Sequence, residues 1–152
     1  MGSTKKQRVL PPVYLFAAIV IAAALYLLLP GPKIIGFPWN LLGLIPLALG
    51  SALNLIADKA FKEHETTVKP YEESSALITT GAFRVCRHPM YLGFVLIILG
   101  IAVLMGSVTP FVVALVLGVV MELVFIRTEE KMLEETFGDE WRLYKARVRK
   151  WV

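Results

Sequence analysis

Two groups of residues have types and spacing that can do chemistry: Arg87-His88-Pro89 and Glu129-Glu130. Pro89 suits the first position of a helix and drives His88 into an extended conformation. The amides of Met90, Tyr91 and Leu92 then have no carbonyl partner. Such a helix start attracts a carboxylate or phosphate, and Arg87 and His88 beside it strengthen the attraction. The same tripeptide also serves as a plain interfacial helix start. Glu129 and Glu130 follow Arg127-Thr128 at the end of an apolar stretch. Carboxylates at a helix C-terminus oppose its dipole, so they do not serve local helix stability, whereas in a helix that runs on they are ordinary solvated residues. If the two groups meet, anion-binding amides face carboxylates, an arrangement suited to a zwitterion with an added cation. Phe83 and Tyr91 can face that cation through their rings.

Glu122 stands about one helical turn inside the apolar segment from Arg127. An acid at such a depth points to function by default; the plain alternative is a pair with Asn54 or Arg127. His64 reads as a solvated loop residue. Two histidines and one cysteine without ligand spacing predict no metal, and the glycine-rich phosphate loops and nucleophile triads are missing.

The elements that must position these residues are apolar. Of the 152 residues, 57% are hydrophobic, and residues 11–30, 34–57 and 89–121 carry no charge. Stretches of about 18 apolar residues cross a bilayer as helices. The pattern predicts an all-α membrane domain over 1–152, with four spans near 12–29, 37–57, 89–106 and 109–126, a loop at 58–88 and a tail at 127–152. Pro46 is expected to kink the second span. Gly106 to Pro110 predict a tight helical hairpin. The first stretch reads as a retained span, too long for the apolar core of a signal peptide.

Fifteen of the sixteen Lys and Arg flank the spans on one side, among them Lys5, Lys6 and Arg8; only Lys33 lies on the other. This predicts that both termini are cytosolic. The charge of +4 is thereby assigned to an anionic leaflet rather than to nucleic acid. In the tail, Leu133, Phe137, Trp141, Tyr144 and Val148 form one helical face, with Arg142, Lys145, Arg149 and Lys150 largely off it. That predicts an interfacial amphipathic helix, divided at Gly138. Cys86 is the only cysteine, which excludes an intramolecular disulfide.

Leu77-Ile78-Thr79-Thr80-Gly81, then Arg87 to Gly93, then Glu129-Glu130-x-x-Leu133, Phe137-Gly138, Tyr144 and Val148 form an ordered pattern over roughly 66–152. It resembles the integral-membrane methyltransferases typified by isoprenylcysteine carboxyl methyltransferase and the phospholipid N-methyltransferases. The resemblance implies a cytosolic pocket for S-adenosylmethionine. By position, Leu77, Ile78, Phe83, His88, Pro89, Met90 and Tyr91 would line it with Arg87 beside them, and Glu129 or Glu130 would bind from the opposite wall. The acceptor would be a lipid or lipophilic small molecule. A carboxylate acceptor needs a cationic clamp, for which Arg127 is the candidate; an amine or thiol acceptor needs a base, for which Glu122 is. The compact form implies a prokaryotic inner membrane. Two alternatives stay open: an NADPH-dependent reductase related to sterol reductases, and a non-enzymatic lipid-binding or scaffolding protein.

Overall fold

The computed structural model describes residues 9–67, 69 and 72–152. The basic residues Lys5, Lys6 and Arg8 therefore lie outside the described residues. Pro11 and Pro12 open α1, Pro11–Leu28, where their missing amides cost no hydrogen bond. A 3₁₀ turn, Trp39–Gly43, runs directly into α2, Leu44–Glu63. Pro46 thus sits in the first turn of α2 and breaks no helical hydrogen bond. The kink expected there is replaced by a change of helix pitch ahead of it.

Pro89 opens α3, Pro89–Met105. Gly106, at φ 69°, takes the left-handed position that ends it, and α4, Val108–Val120, starts two residues later with Pro110 in its first turn. This hairpin is tied to the first connection. The amides of Ile34 and Ile35 donate to Gly106 O at 2.8 and 3.1 Å, and Thr109 Oγ1 donates to Pro30 O at 3.2 Å. No strand forms among the described residues, only isolated bridges such as Lys33 with Ser107.

The helix does not stop where the apolar residues stop. After α4 it widens into a π-helical segment, Met121–Ile126, and continues as α5, Arg127–Arg147. Gly138, at φ 50° and ψ −116°, divides α5 as the sequence predicts. Since the helix runs on through Arg127, Glu129 and Glu130 are not at a helix C-terminus and the dipole argument does not apply to them.

Packing around α3 is set by glycine. Gly50 lies against Gly93 and Gly43 against Gly100, so the heptad-spaced glycines of α2 and α3 meet within one chain. A Cβ on Gly50 would stand 2.5 Å from Gly93 O, and one on Gly93 would stand 2.7 Å from Gly50 O. The two backbones can approach this closely only without side chains. On the other side of α3, Phe94, Ile98, Leu117, Met121 and Phe125 form a core with Ala18 and Ala22 of α1.

A second core lies at the charged end: Ala57, Ile78, Phe83, Trp141 and Tyr144, with Leu133, Phe137 and Val148 against it. The apolar face of the tail is thus occupied by protein, not by the bilayer interface. A helical stripe reports that a face is buried without reporting what buries it. Among the described residues, three helices are long and apolar enough to cross a membrane, Pro11–Leu28, Trp39–Glu63 and Val108–Arg147, and Pro89–Met105 is a shorter apolar helix. Many large side chains face outward, among them Phe16, Leu27, Leu55 and Leu115. That surface suits hydrocarbon; in water it would be a large aggregation-prone patch.

Candidate functional site

The peptide between the small helix at Gly81–Arg84 and α3 is held from several sides. Arg87 N donates to Arg149 O at 3.0 Å, and Cys86 Sγ donates to Lys150 O at 3.3 Å. Tyr144 Oη donates to Phe83 O at 2.6 Å. The C-terminal strap at 148–151 therefore runs beside residues 86–87. Burial pushes the Cys86 thiol above its ordinary pKa, outweighing the backbone and Arg87 effects.

These constraints bury Arg87 and His88, which are 8% and 3% exposed. Arg87 Nη2 is 2.9 Å from Glu130 Oε1, and His88 Nε2 is 3.3 Å from the same oxygen. Lys150 Nζ reaches Glu130 Oε2 at 3.3 Å and Glu122 Oε1 at 2.8 Å. Burial works to raise the Glu130 pKa, but the His88 hydrogen bond and the charges of Arg87, His88 and Lys150 outweigh it and hold it at about 2. Lys150 is held above its ordinary value, first by its hydrogen bond to Glu122. The Arg87 guanidinium also lies 5.6 Å from the Trp141 ring centroid.

Glu129 faces elsewhere. It accepts from Tyr91 Oη at 2.9 Å and lines a cavity with Phe61, Leu77, Ile78, Phe83, Arg87, Leu133, Trp141 and Tyr144. The enclosed space there, between α2, the loop and α5, is about 30 Å³, room for about one water and well short of a ligand pocket until the loop moves. A neighbouring cleft shares Phe61, Ser74, Glu129 and Leu133 and extends the space toward Thr67 and Thr136. Among the described residues, Arg87 Nε and Trp141 Nε1 are buried nitrogens with no hydrogen-bond partner, and both residues line the cavity. No group of three or more potential metal ligands comes together among the described residues.

Residues 39–140 match the family model for phospholipid methyltransferases. The chain belongs to the phospholipid methyltransferase family. Over 98 residues it is 33% identical to the protein-S-isoprenylcysteine O-methyltransferase of Schizosaccharomyces pombe, a match that covers 62% of this chain and 36% of that enzyme. It is also 36% identical over 63 residues to an uncharacterized protein of Haemophilus influenzae, covering 41% of this chain and all of that one. The chain thus spans about a third of the length of the yeast relative it matches. No solved structure matches the chain.

Of the residues that family resemblance singles out, Leu77, Ile78, Phe83, Arg87 and Glu129 meet around the cavity. His88, Pro89, Met90 and Tyr91 are not among its lining residues. Pro89 is fully buried, and Met90 packs between the two cores. Glu130 is not among the lining residues either; it pairs with Arg87, His88 and Lys150. Arg127 is not brought to the cavity: its side chain is 66% exposed, with Nε 3.9 Å from Glu122. Asn54, the other partner considered for Glu122, instead donates to Gly50 O at 2.9 Å. Two residues that the structure brings here carry no mark in the sequence: Trp141 lies in an apolar stripe, and Lys150 is one basic residue among many. The one available signal was an indole N–H that needs a partner once buried.

Proposed function

We propose that this chain is an S-adenosylmethionine-dependent methyltransferase whose cofactor binds at the Glu129–Arg87–Trp141 cavity, which opens to admit it, and whose acceptor comes from the bilayer. The observation that carries this reading is the pairing of two orphaned buried donors, Arg87 Nε and Trp141 Nε1, with one carboxylate among residues that line a single cavity. Unmade hydrogen bonds in a buried site cost about 1–3 kcal/mol each, so a ligand that accepts from them is favoured. The donor set fits the group. Arg87 and Trp141 suit a carboxylate, Glu129 suits an ammonium or hydroxyls, and Leu77, Ile78 and Phe83 suit a flat apolar ring. A ligand rich in phosphate, such as NADPH, would meet Glu129 with like charge.

Bound S-adenosylmethionine supplies an activated methyl group. The chain's own part is positioning and the exclusion of water, which need no covalent intermediate. The Glu130 ion cluster fixes Arg87 from behind, so its guanidinium is presented in one place. Phe83 and Trp141, both buried, form part of the cavity wall. The same reading makes all four apolar helices spans, including the seventeen residues of α3, which reach about 25 Å. It puts both termini and the cavity on the cytosolic side of a prokaryotic inner membrane, because Lys and Arg gather there. The basic residues off the buried face of α5 then meet the anionic leaflet.

The test is incubation of the detergent-purified protein with methyl-labelled donor and a total lipid extract. Label should pass to an extractable species with wild type and not with Arg87→Ala. A lack of transfer to any lipid fraction would contradict the reading, and oxidation of NADPH by the same extract would favour the reductase alternative.

A further inference from the structure

One ammonium from the strap serves two acids of the long helix. Lys150 Nζ lies 2.8 Å from Glu122 Oε1 and 3.3 Å from Glu130 Oε2. The two glutamates stand about two turns apart, one on the π-helical segment and one on α5. The backbone of the strap fixes where that ammonium can go, because Arg149 O and Lys150 O accept from Arg87 N and Cys86 Sγ. The two oxygens of Glu130 have separate partners. Oε1 faces Arg87 Nη2 at 2.9 Å and His88 Nε2 at 3.3 Å. Oε2 has Lys150 and, among the described residues, no other. Arg87 in turn has one nitrogen of its guanidinium on Glu130, while Nε is buried and orphaned.

We propose that Lys150 is a positioning residue for the cofactor: through Glu130 it sets the direction in which Arg87 presents Nε to the cavity. The inference rests on the methyltransferase reading, in which Arg87 takes the carboxylate of the cofactor. A guanidinium is a rigid planar fork, so turning its Glu130 end turns Nε as well. With Lys150 in place both oxygens of Glu130 are held, and the carboxylate keeps one orientation. Without it Oε2 loses its partner, the carboxylate turns about its own bond, and Arg87 follows. Lys150 is not among the residues lining the cavity. Its effect therefore passes through Arg87 and touches only the part of the ligand that Arg87 holds. A cation that served Glu122 alone would leave Arg87 where it is.

The test compares S-adenosylmethionine with its decarboxylated form, which lacks only the carboxylate. Both are titrated calorimetrically into the detergent-purified full chain without acceptor. Wild type should bind the carboxylate form about tenfold more tightly. Lys150→Met should lose that preference, binding S-adenosylmethionine about tenfold more weakly and the decarboxylated form as wild type does. Lys150→Arg keeps a cation on the strap and should restore the preference. Adding Glu122→Gln to Lys150→Met should leave the loss in place, because the lost partner is that of Glu130. Should Lys150→Met fold poorly, Lys150→Gln, which keeps a hydrogen-bond donor but no charge, gives the same comparison. A loss shared equally by both ligands means general loosening of the site and overturns the inference. So does no loss of either, a wild type indifferent to the carboxylate, or recovery on adding Glu122→Gln. Absence of binding by wild type to both ligands instead sinks the methyltransferase reading, so the two failures are distinct.

Discussion

Glu129 and Glu130 are adjacent in sequence and opposite in surroundings. Glu130 is ringed by Arg87, His88 and Lys150, while Glu129 accepts from Tyr91, has His88 Nδ1 at 4.0 Å and faces the cavity. The folded pKa of Glu130, about 2, lies below its ordinary 4.5. A depressed carboxyl contributes stability that is present above its unfolded value and lost as pH falls through the folded one. Thermal unfolding in detergent should therefore weaken between pH 4.5 and about 2, and Glu130→Gln should flatten that slope. At neutral pH the same variant should cost about 3 kcal/mol, because it leaves Arg87 buried with a weaker partner. A melting curve that is as steep with acid in the variant as in wild type would assign the pH dependence to other carboxylates. The difference between the two glutamates was not legible in the sequence, where either suited the ligand. It arises from His88, Arg87 and Lys150, which distant parts of the chain bring around Glu130.

At the scale of elements, the apolar helices and the Gly106 hairpin were legible because hydropathy and proline position are local signals. What followed Ile126 was not. A π-helical segment carries no residue signature, and the charges at 127–130 look the same whether a helix ends or runs on. The heptad glycines showed that two helices approach, and only the fold showed that they are α2 and α3 of one chain. Gly50→Leu places a side chain where Gly93 O already stands, and should cost about 3 kcal/mol or more, read as lost folded yield or a lower melting temperature. Gly138→Ala probes a different cause. A Cβ there would meet nothing within 4 Å, but φ 50° with ψ −116° is strained for any L side chain. The expected loss is about 1–2 kcal/mol, measured by the same melt. No loss would mean that the bend at Gly138 relaxes freely.

At the scale of the molecule, two cores divide the work. One packs α1, α3 and α4 within the apolar layer, and the other holds the loop against α5 at the charged end. The sequence placed the polar residues at that end by charge counting alone, and it placed Leu77, Ile78, Phe83, Arg87 and Glu129 together through family resemblance. It did not show that the tail's apolar face closes the site, since a stripe facing lipid and one facing protein have the same period. The buried Cys86 reports on this closure, being 2% exposed and fixed to the strap. A maleimide should label it in the native protein far more slowly, about a hundredfold or more, than in denaturant. Rapid native labelling would show the strap detached from residues 86–87.

The most direct measurement is calorimetric titration of the purified protein with S-adenosylhomocysteine, in wild type, Glu129→Gln and Trp141→Phe. The cavity predicts saturable binding by wild type and a loss of about tenfold in each variant, with melting temperatures close to wild type. Binding unchanged in both variants, or none to wild type, would contradict it.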